Sequence, residues 1–445
     1  MRKQYSFIKI ISILIVICLV GVSCKKFINK APITSTYGAE FWTSQTSVEQ
    51  ATLAMYGQLR ASLRSSHSFF VNGDLAAGTF EFPYSVYWNY TAILPSANPA
   101  FNFSYVPYLE GDLQNWSRFY QLIAQCNLIL QNVPEMSTAL FTNENVKNAY
   151  LGEALFMRAY AYFYMIRVWG DPVYVSRTYN DVDYGKIPPI ARTPEATVLD
   201  SCISDLKTAA GYLDFSGGDP SKAIRGNKGS VYSLLAHIYA WRHDYANAHD
   251  ACLQVMNNGG YSLEPMDTYS NIWKGQSSEE NIFELAMTYN PNDPNFSNQG
   301  SWAEAQFDFF GVFLKGPIVD NQNSQCWLSP VNTFVGNIMD TTNDARYHND
   351  FIYLPASGGN NAGYMLTKYT DFTYQKPDSK TLPYINNDLV LFRLSDIILL
   401  DAEALASAGD LSGAAADLAQ TEDRAGITSY QNPTNQYDML DEVVM

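Results

Sequence analysis

LAHIYAWRHDYANAHDACL (residues 235–253) and DAEALASAGDLSGAAADLA (residues 401–419) read as two copies of one unit. Aligning Asp244 with Asp410 also pairs Ala236 with Ala402, Ala240 with Ala406 and Ala248 with Ala414. In each copy a helical pattern meets a short Asp-containing turn and resumes with small residues four apart. Small residues let two antiparallel helices approach closely, which is the sequence signature of a tetratricopeptide-type helix–turn–helix. The competing reading is a pair of unrelated Ala-rich hairpins.

Working outward, more helices follow. Residues 112–133 place Trp116, Phe119, Tyr120, Ile123, Asn127 and Leu130 at spacings of three and four. Residues 146–169 carry a stripe of Leu151, Leu155, Ala159, Tyr162, Phe163 and Ile166, stopped by Gly170 and Pro172. Residues 194–213 supply its antiparallel neighbour, and residues 48–63 an earlier helix with Ala51, Met55 and Leu59 facing inward. Residues 79–108 and 259–387 differ: they mix short apolar runs with Gly, Pro, Asn and Ser, as loops and a few short strands do. The expected fold is mostly α, with tetratricopeptide-like helical repeats and a large loop-rich region containing a few short strands.

The start of the chain is a targeting segment. Arg2, Lys3 and Lys9 precede an unbroken apolar run from Ile10 to Val20. That run is shorter than the roughly 20 residues needed to span a bilayer, but it fits a secretory signal peptide. Gly21, Val22 and Ser23 then lead to Cys24, placed as the lipidated cysteine of a bacterial lipoprotein; the competing reading is an ordinary secreted chain. Residues 1–23 are thus expected to be removed. Residues 24–445 form one domain with halves at about 24–220 and 221–445.

The formal charge is −16, and the segment lost with the signal carries basic residues only. Such an acidic chain repels phosphate backbones, which argues against nucleic acid as a partner. Cys126, Cys202, Cys252 and Cys326 form no CxxC pair; three of them lie in helical apolar patterns and read as small buried hydrophobes, the competing reading being one disulfide in an exported chain. The five histidines fit no metal or nucleophile signature. His237 reads as a packed core residue, and His243 and His249 as lying on opposite faces of a helix. No cofactor, metal or catalytic residue is expected. Glycoside hydrolysis, which needs only two carboxylates, is the enzyme class left standing, but Glu153, Asp396 and Glu403 lie in helical motifs and read as structural.

Several long motifs in order resemble the SusD/RagB family of surface lipoproteins. They are CKKFINKAP (24–32), FWTS (41–44), NWSRFYQLIAQCNLIL (115–130), GEALFMRAYAYFYMIRVWGDPV (152–173), KGSVYSLLAHIYAWRHDYANA (228–248), FRLSDIILLDAEALASAGD (392–410) and DRAG (423–426). Asn29, Ala419 and Glu422 depart from the family pattern. The chain stops at MLDEVVM, where the family continues into a basic helix, so the sequence is expected to be truncated there. The resemblance implies an outer-membrane, lipid-anchored, surface-exposed protein of a Bacteroidetes bacterium. Such a protein binds glycans or similar nutrients and passes them to a SusC-like TonB-dependent transporter, without being an enzyme. The alternatives are a scaffold of a surface complex with no ligand of its own and, less favoured, a surface glycosidase.

For ligand binding, aromatic residues in loops carry the argument, because sugar rings lay C–H faces on flat aromatic rings while their hydroxyls need polar partners. Trp88, Asn89, Tyr90 and Tyr105 stand in the first loop, beside Phe101 and Asn102. Trp302 and Trp327 stand in the second, with Trp273, Tyr289, Asn281, Asn290, Asn298 and Gln299 around them. Trp88 and Trp302 lead this set. Trp116, Trp169 and Trp241 are assigned to packing.

Overall fold

The structure is a computed structural model that describes residues 41–64, 68–75, 77–81, 115–179, 188–275, 278–287, 313, 318, 329–356, 362–376, 378, 380–427 and 433–444; every structural statement concerns these. In chain order the helices are α1 (Gln45–Arg64), α2 (Ser117–Asn132), α3 (Glu144–Trp169), α4 (Glu195–Tyr212), α5 (Lys228–Trp241) and α6 (Tyr245–Asn258). After a loop-rich stretch come α7 (Asn332–Ile338), α8 (Ala345–Asp350), α9 (Leu394–Ala408), α10 (Leu411–Ala425) and α11 (Gln436–Val444). Successive helices pack on one another from α1 through α4; α5 packs on α6, α9 on α10, and α6 reaches across to α9.

The helix ends are written in side chains. Asn143 accepts the Val146 N–H to open α3, and Gly170, at φ 72°, closes it. Asn227 and Ser230 form a reciprocal capping box on α5. Asp244 and Asp410 cap α6 and α10 in the same way, each accepting the N–H three residues on. The Asp-containing turn therefore works alike in both copies, and the repeat reading holds.

Helix α3 departs from the single stripe expected. Every residue from Tyr150 to Ile166 is buried. A helix apolar on all sides belongs in the middle of a bundle, and α1, α2, α4 and α5 all touch this one. Its two buried charges must then be paired. Glu153 is bracketed by Arg225 (Nη2–Oε1 2.8 Å, Nε–Oε2 3.0 Å) and accepts from Tyr56. Arg158 grips Asp205 with two 2.8 Å bonds and donates a third to Asn127. Gly152 permits the closest approach: a Cβ there would lie 2.7 Å from the Leu213 side chain.

Short antiparallel ladders complete the fold: β1 (Phe80–Glu81) with β3 (Ser329–Pro330), and β2 (Asn281–Leu285) with β8 (Leu389–Arg393). Two hairpins follow, β4 (Phe351–Leu354) with β5 (Gly363–Leu366) and β6 (Phe372–Lys376) with β7 (Thr381–Ile385). Strand β8 runs directly into α9 and ties the loop-rich part to the helices.

Some expectations change. His243 lies in the α5–α6 turn, so it and His249 do not share a helix. His237 is only half-buried and pairs with Asp396 (3.0 Å), because α9 offers it a carboxylate across α5. Trp241 is 44% exposed; its indole N–H donates to Glu195 and its ring meets the Phe163 ring edge-on, which leaves one side in solvent. Cys126, Cys202 and Cys252 are buried free thiols, as expected.

Candidate functional site

The β1–β3 ladder decides where a ligand could be held. Phe80 pairs with Pro330 and Glu81 with Ser329, and the Val331 N–H extends the ladder to the Thr79 carbonyl at 2.9 Å. Because the strands run antiparallel, the point where the chain departs into residues 82–114 lies beside the point where it returns from residues 288–328. Trp88, Tyr90 and Tyr105 fall in the first of these segments, and Trp302 and Trp327 in the second.

A cleft of about 460 Å³ opens next to this ladder. Its apolar wall is a series of rings: Phe70 to Phe313 at 5.5 Å, Phe80 to Phe313 at 5.3 Å and Phe313 to Tyr369 at 6.1 Å; outside the cleft the series runs on from Tyr369 to Trp273 at 5.7 Å. These separations suit edge and tilted ring contacts, which hold an aromatic surface in a fixed shape.

The polar wall is charged on both signs. Lys368 meets Asp350 at 3.3 Å, and its ammonium lies 5.1 Å from the Trp273 ring centre. Burial opposes the Lys368 charge, but the Asp350 carboxylate, Tyr269 and Tyr369 together hold the ammonium above its usual range. Burial raises Asp350 against the opposing pull of Lys368. Arg346 forks onto the buried Asp344, with contacts from 2.8 to 3.1 Å. Arg393 reaches Glu280 at 3.2 Å and lies over Trp273. The fully buried Glu280 also takes Arg424 at 2.8 Å. A cleft with rigid aromatic faces and fixed donors and acceptors suits a ligand with apolar faces and many hydroxyls.

Of the residues singled out from sequence, Cys24, Trp88, Asn89, Tyr90, Tyr105, Trp302 and Trp327 lie outside the described residues, as do Phe101, Asn102, Tyr289, Asn290, Asn298 and Gln299. Two others are placed differently. Trp273 is buried on a 3-10 turn under Lys368 and Arg393, and its ring is a platform for cations. Asn281 is buried in β2, donating to the Ile272 carbonyl and to Glu284. The cleft residues Phe70, Phe80, Lys368 and Tyr369 were missed, since short irregular segments such as SFF and KYTDF carry no periodic signal. Among the described residues, no group of three or more His, Cys, Asp or Glu is placed to hold a metal ion, and no helix is long and apolar enough to cross a membrane.

Comparison with known proteins adds to this. Residues 79–240 match a SusD-like family model described as starch-binding and associating with the outer membrane, and residues 289–445 match the SusD family model. Together these cover well over half of the chain. It is 23% identical to a SusD-like protein of Formosa agariphila, over 92% of this chain and 80% of that one. A SusD-like protein of Bacteroides ovatus is 27% identical over 68% of this chain and 52% of its own length. Among solved structures, a SusD superfamily protein from Bacteroides thetaiotaomicron superposes with a TM-score of 0.71, at 22% identity, covering 90% of this chain and 86% of that one. NanU of B. fragilis superposes with a TM-score of 0.65, at 21% identity, over 89% and 80%. At such identities the superpositions show the fold alone.

Proposed function

The chain belongs to the SusD/RagB family, and from that premise we propose that it is a non-catalytic glycan-capture protein of the bacterial surface. It is held in the outer membrane by a lipid on Cys24 and passes its ligand to a SusC-like TonB-dependent transporter. The observation that carries the reading is the β1–β3 ladder, which roots two aromatic-rich segments at the mouth of a ring-walled cleft. Neighbouring rings would take the C–H faces of sugars, while Lys368, Asp350 and Asp74 supply partners for hydroxyls. The description of the first family model as starch-binding and associating with the outer membrane agrees with this.

One observation favours a second reading. Asp350 lines the same cleft as the more exposed Asp74, and burial raises the Asp350 carboxyl, the direction a glycosidase acid needs. One experiment separates the two. The mature chain is run through native gels cast with soluble polysaccharides, and the same mixtures are assayed for new reducing ends. Capture gives retardation by at least one polysaccharide, weakened in Trp88→Ala and Trp302→Ala, with no new reducing ends. Hydrolysis abolished by Asp74→Asn or Asp350→Asn establishes the glycosidase instead. Retardation by no glycan removes the capture reading.

A further inference from the structure

A second cavity, of about 410 Å³, adjoins the first on its helical side; Tyr369, Val390 and Arg393 line both. The ring series that walls the first cleft continues into it, since Tyr369 and Trp273 both border the second cavity. Its remaining wall comes from the repeat scaffold: Tyr160, Phe163 and Arg167 of α3, His237 of α5, and Phe392 and Asp396 at the β8–α9 junction. The Tyr160 and Phe392 rings meet edge-on at 6.2 Å, and His237 lies 5.5 Å from Phe392.

Its charge runs against that of the chain. The whole sequence has 44 acidic and 28 basic residues, yet the lining holds Arg167, Arg393 and His237 against Asp396. Arg393 is engaged by Glu280, and His237 by Asp396 at 3.0 Å. Arg167 is different: its guanidinium lies 4.5 Å from the Phe163 ring centre, and among the described residues no carboxylate pairs with it. A guanidinium packed over an aromatic ring and without a carboxylate partner has N–H donors to offer a planar oxyanion.

We propose that this second cavity is a subsite for a carboxylate-bearing sugar unit, a hexuronate, whose carboxylate is taken by Arg167 while its ring packs against the Tyr160–Phe392 wall. The inference rests on the glycan-capture reading and narrows it to an acidic glycan. Tyr369, Val390 and Arg393 line both cavities, so the acidic unit would sit beside the first cleft, on its helical side.

The test uses the mature chain in calorimetric titrations with polygalacturonate, alginate and hyaluronate, and with starch and galactan as neutral counterparts. At least one acidic polymer is expected to bind. Arg167→Ala should weaken that binding at least tenfold, about 1.4 kcal/mol, and Arg167→Lys should restore part of it. Arg167 is exposed at the last turn of α3, so neither change should alter thermal unfolding. Binding of neutral polymers only, or acidic binding indifferent to Arg167→Ala, overturns the subsite and leaves capture standing. Binding of no polymer of either kind overturns both.

Discussion

His243 and Gly409 occupy the same place in two copies of one helical hairpin, both in the left-handed region, at φ 57° and 91°. In each copy the next residue is the capping Asp, and its N–H returns 2.9 Å to a carbonyl five residues back, Tyr239 for Asp244 and Leu405 for Asp410. A side chain with a Cβ pays roughly 1–2 kcal/mol for that backbone. His243 offsets part of it through Nδ1, 2.9 Å from the Tyr245 hydroxyl.

Gly409→Ala is therefore expected to destabilise the chain by about 1 kcal/mol, read as a lower midpoint in urea. His243→Gly should shift it much less, because relief of the backbone is set against the lost Tyr245 contact and the freer unfolded chain. A large loss in His243→Gly and none in Gly409→Ala would contradict the equivalence of the two turns.

Arg158 joins three helices, holding Asp205 of α4 by two bonds and Asn127 of α2 by one. Removing one partner of a buried pair leaves the other uncompensated, so Arg158→Met should cost about 3–5 kcal/mol. The double change Arg158→Met with Asp205→Leu should recover much of that loss. A double-mutant cycle in denaturant measures both; purely additive losses would show that the pair is not coupled.

The helical half was legible because its signals are local and periodic. The turns at Asp244 and Asp410, the stop at Gly170 and the paired alanines all act within a few residues of where they stand in sequence. The all-round burial of α3 was not legible, since a stripe reports one neighbour and this helix has several. The cleft was legible only as a region. Its residues meet through a two-residue ladder joining positions about 250 apart, Phe80 with Pro330, and no spacing rule spans that distance. His237 was misread for the same reason: its partner, Asp396, comes from another repeat.

The thiols of Cys126, Cys202 and Cys252 are buried, and burial pushes each well above the ordinary thiol range. Alkylation needs the thiolate. Iodoacetamide at pH 8 should leave the peptides carrying these three cysteines unmodified in the native chain and label all three in guanidinium. Rapid native labelling of Cys126 would show that the α2–α3 packing opens in solution.

Three carboxylates are held near neutrality in the folded chain. Asp388 is pushed up to about 7 by burial and then by Glu284, against the Met287 N–H it accepts at 2.7 Å. Burial and Asp401 push Asp417 up to about 7; burial and Glu442 do the same for Glu422. In the unfolded chain such groups titrate near about 4. Between about 4 and 7 the folded state thus binds more protons than the unfolded state, and stability rises as pH falls through that window. The urea midpoint should be higher at pH 5.5 than at pH 8, the reverse of the trend set by ion-paired acids. Asp388→Asn keeps an oxygen for the Met287 N–H and removes the charge, so it should raise the midpoint at pH 8 and flatten the pH dependence. A midpoint that falls on acidification from pH 8 to 5.5, or an Asp388→Asn variant weaker than wild type at pH 8, would show that these carboxylates are not strained by burial.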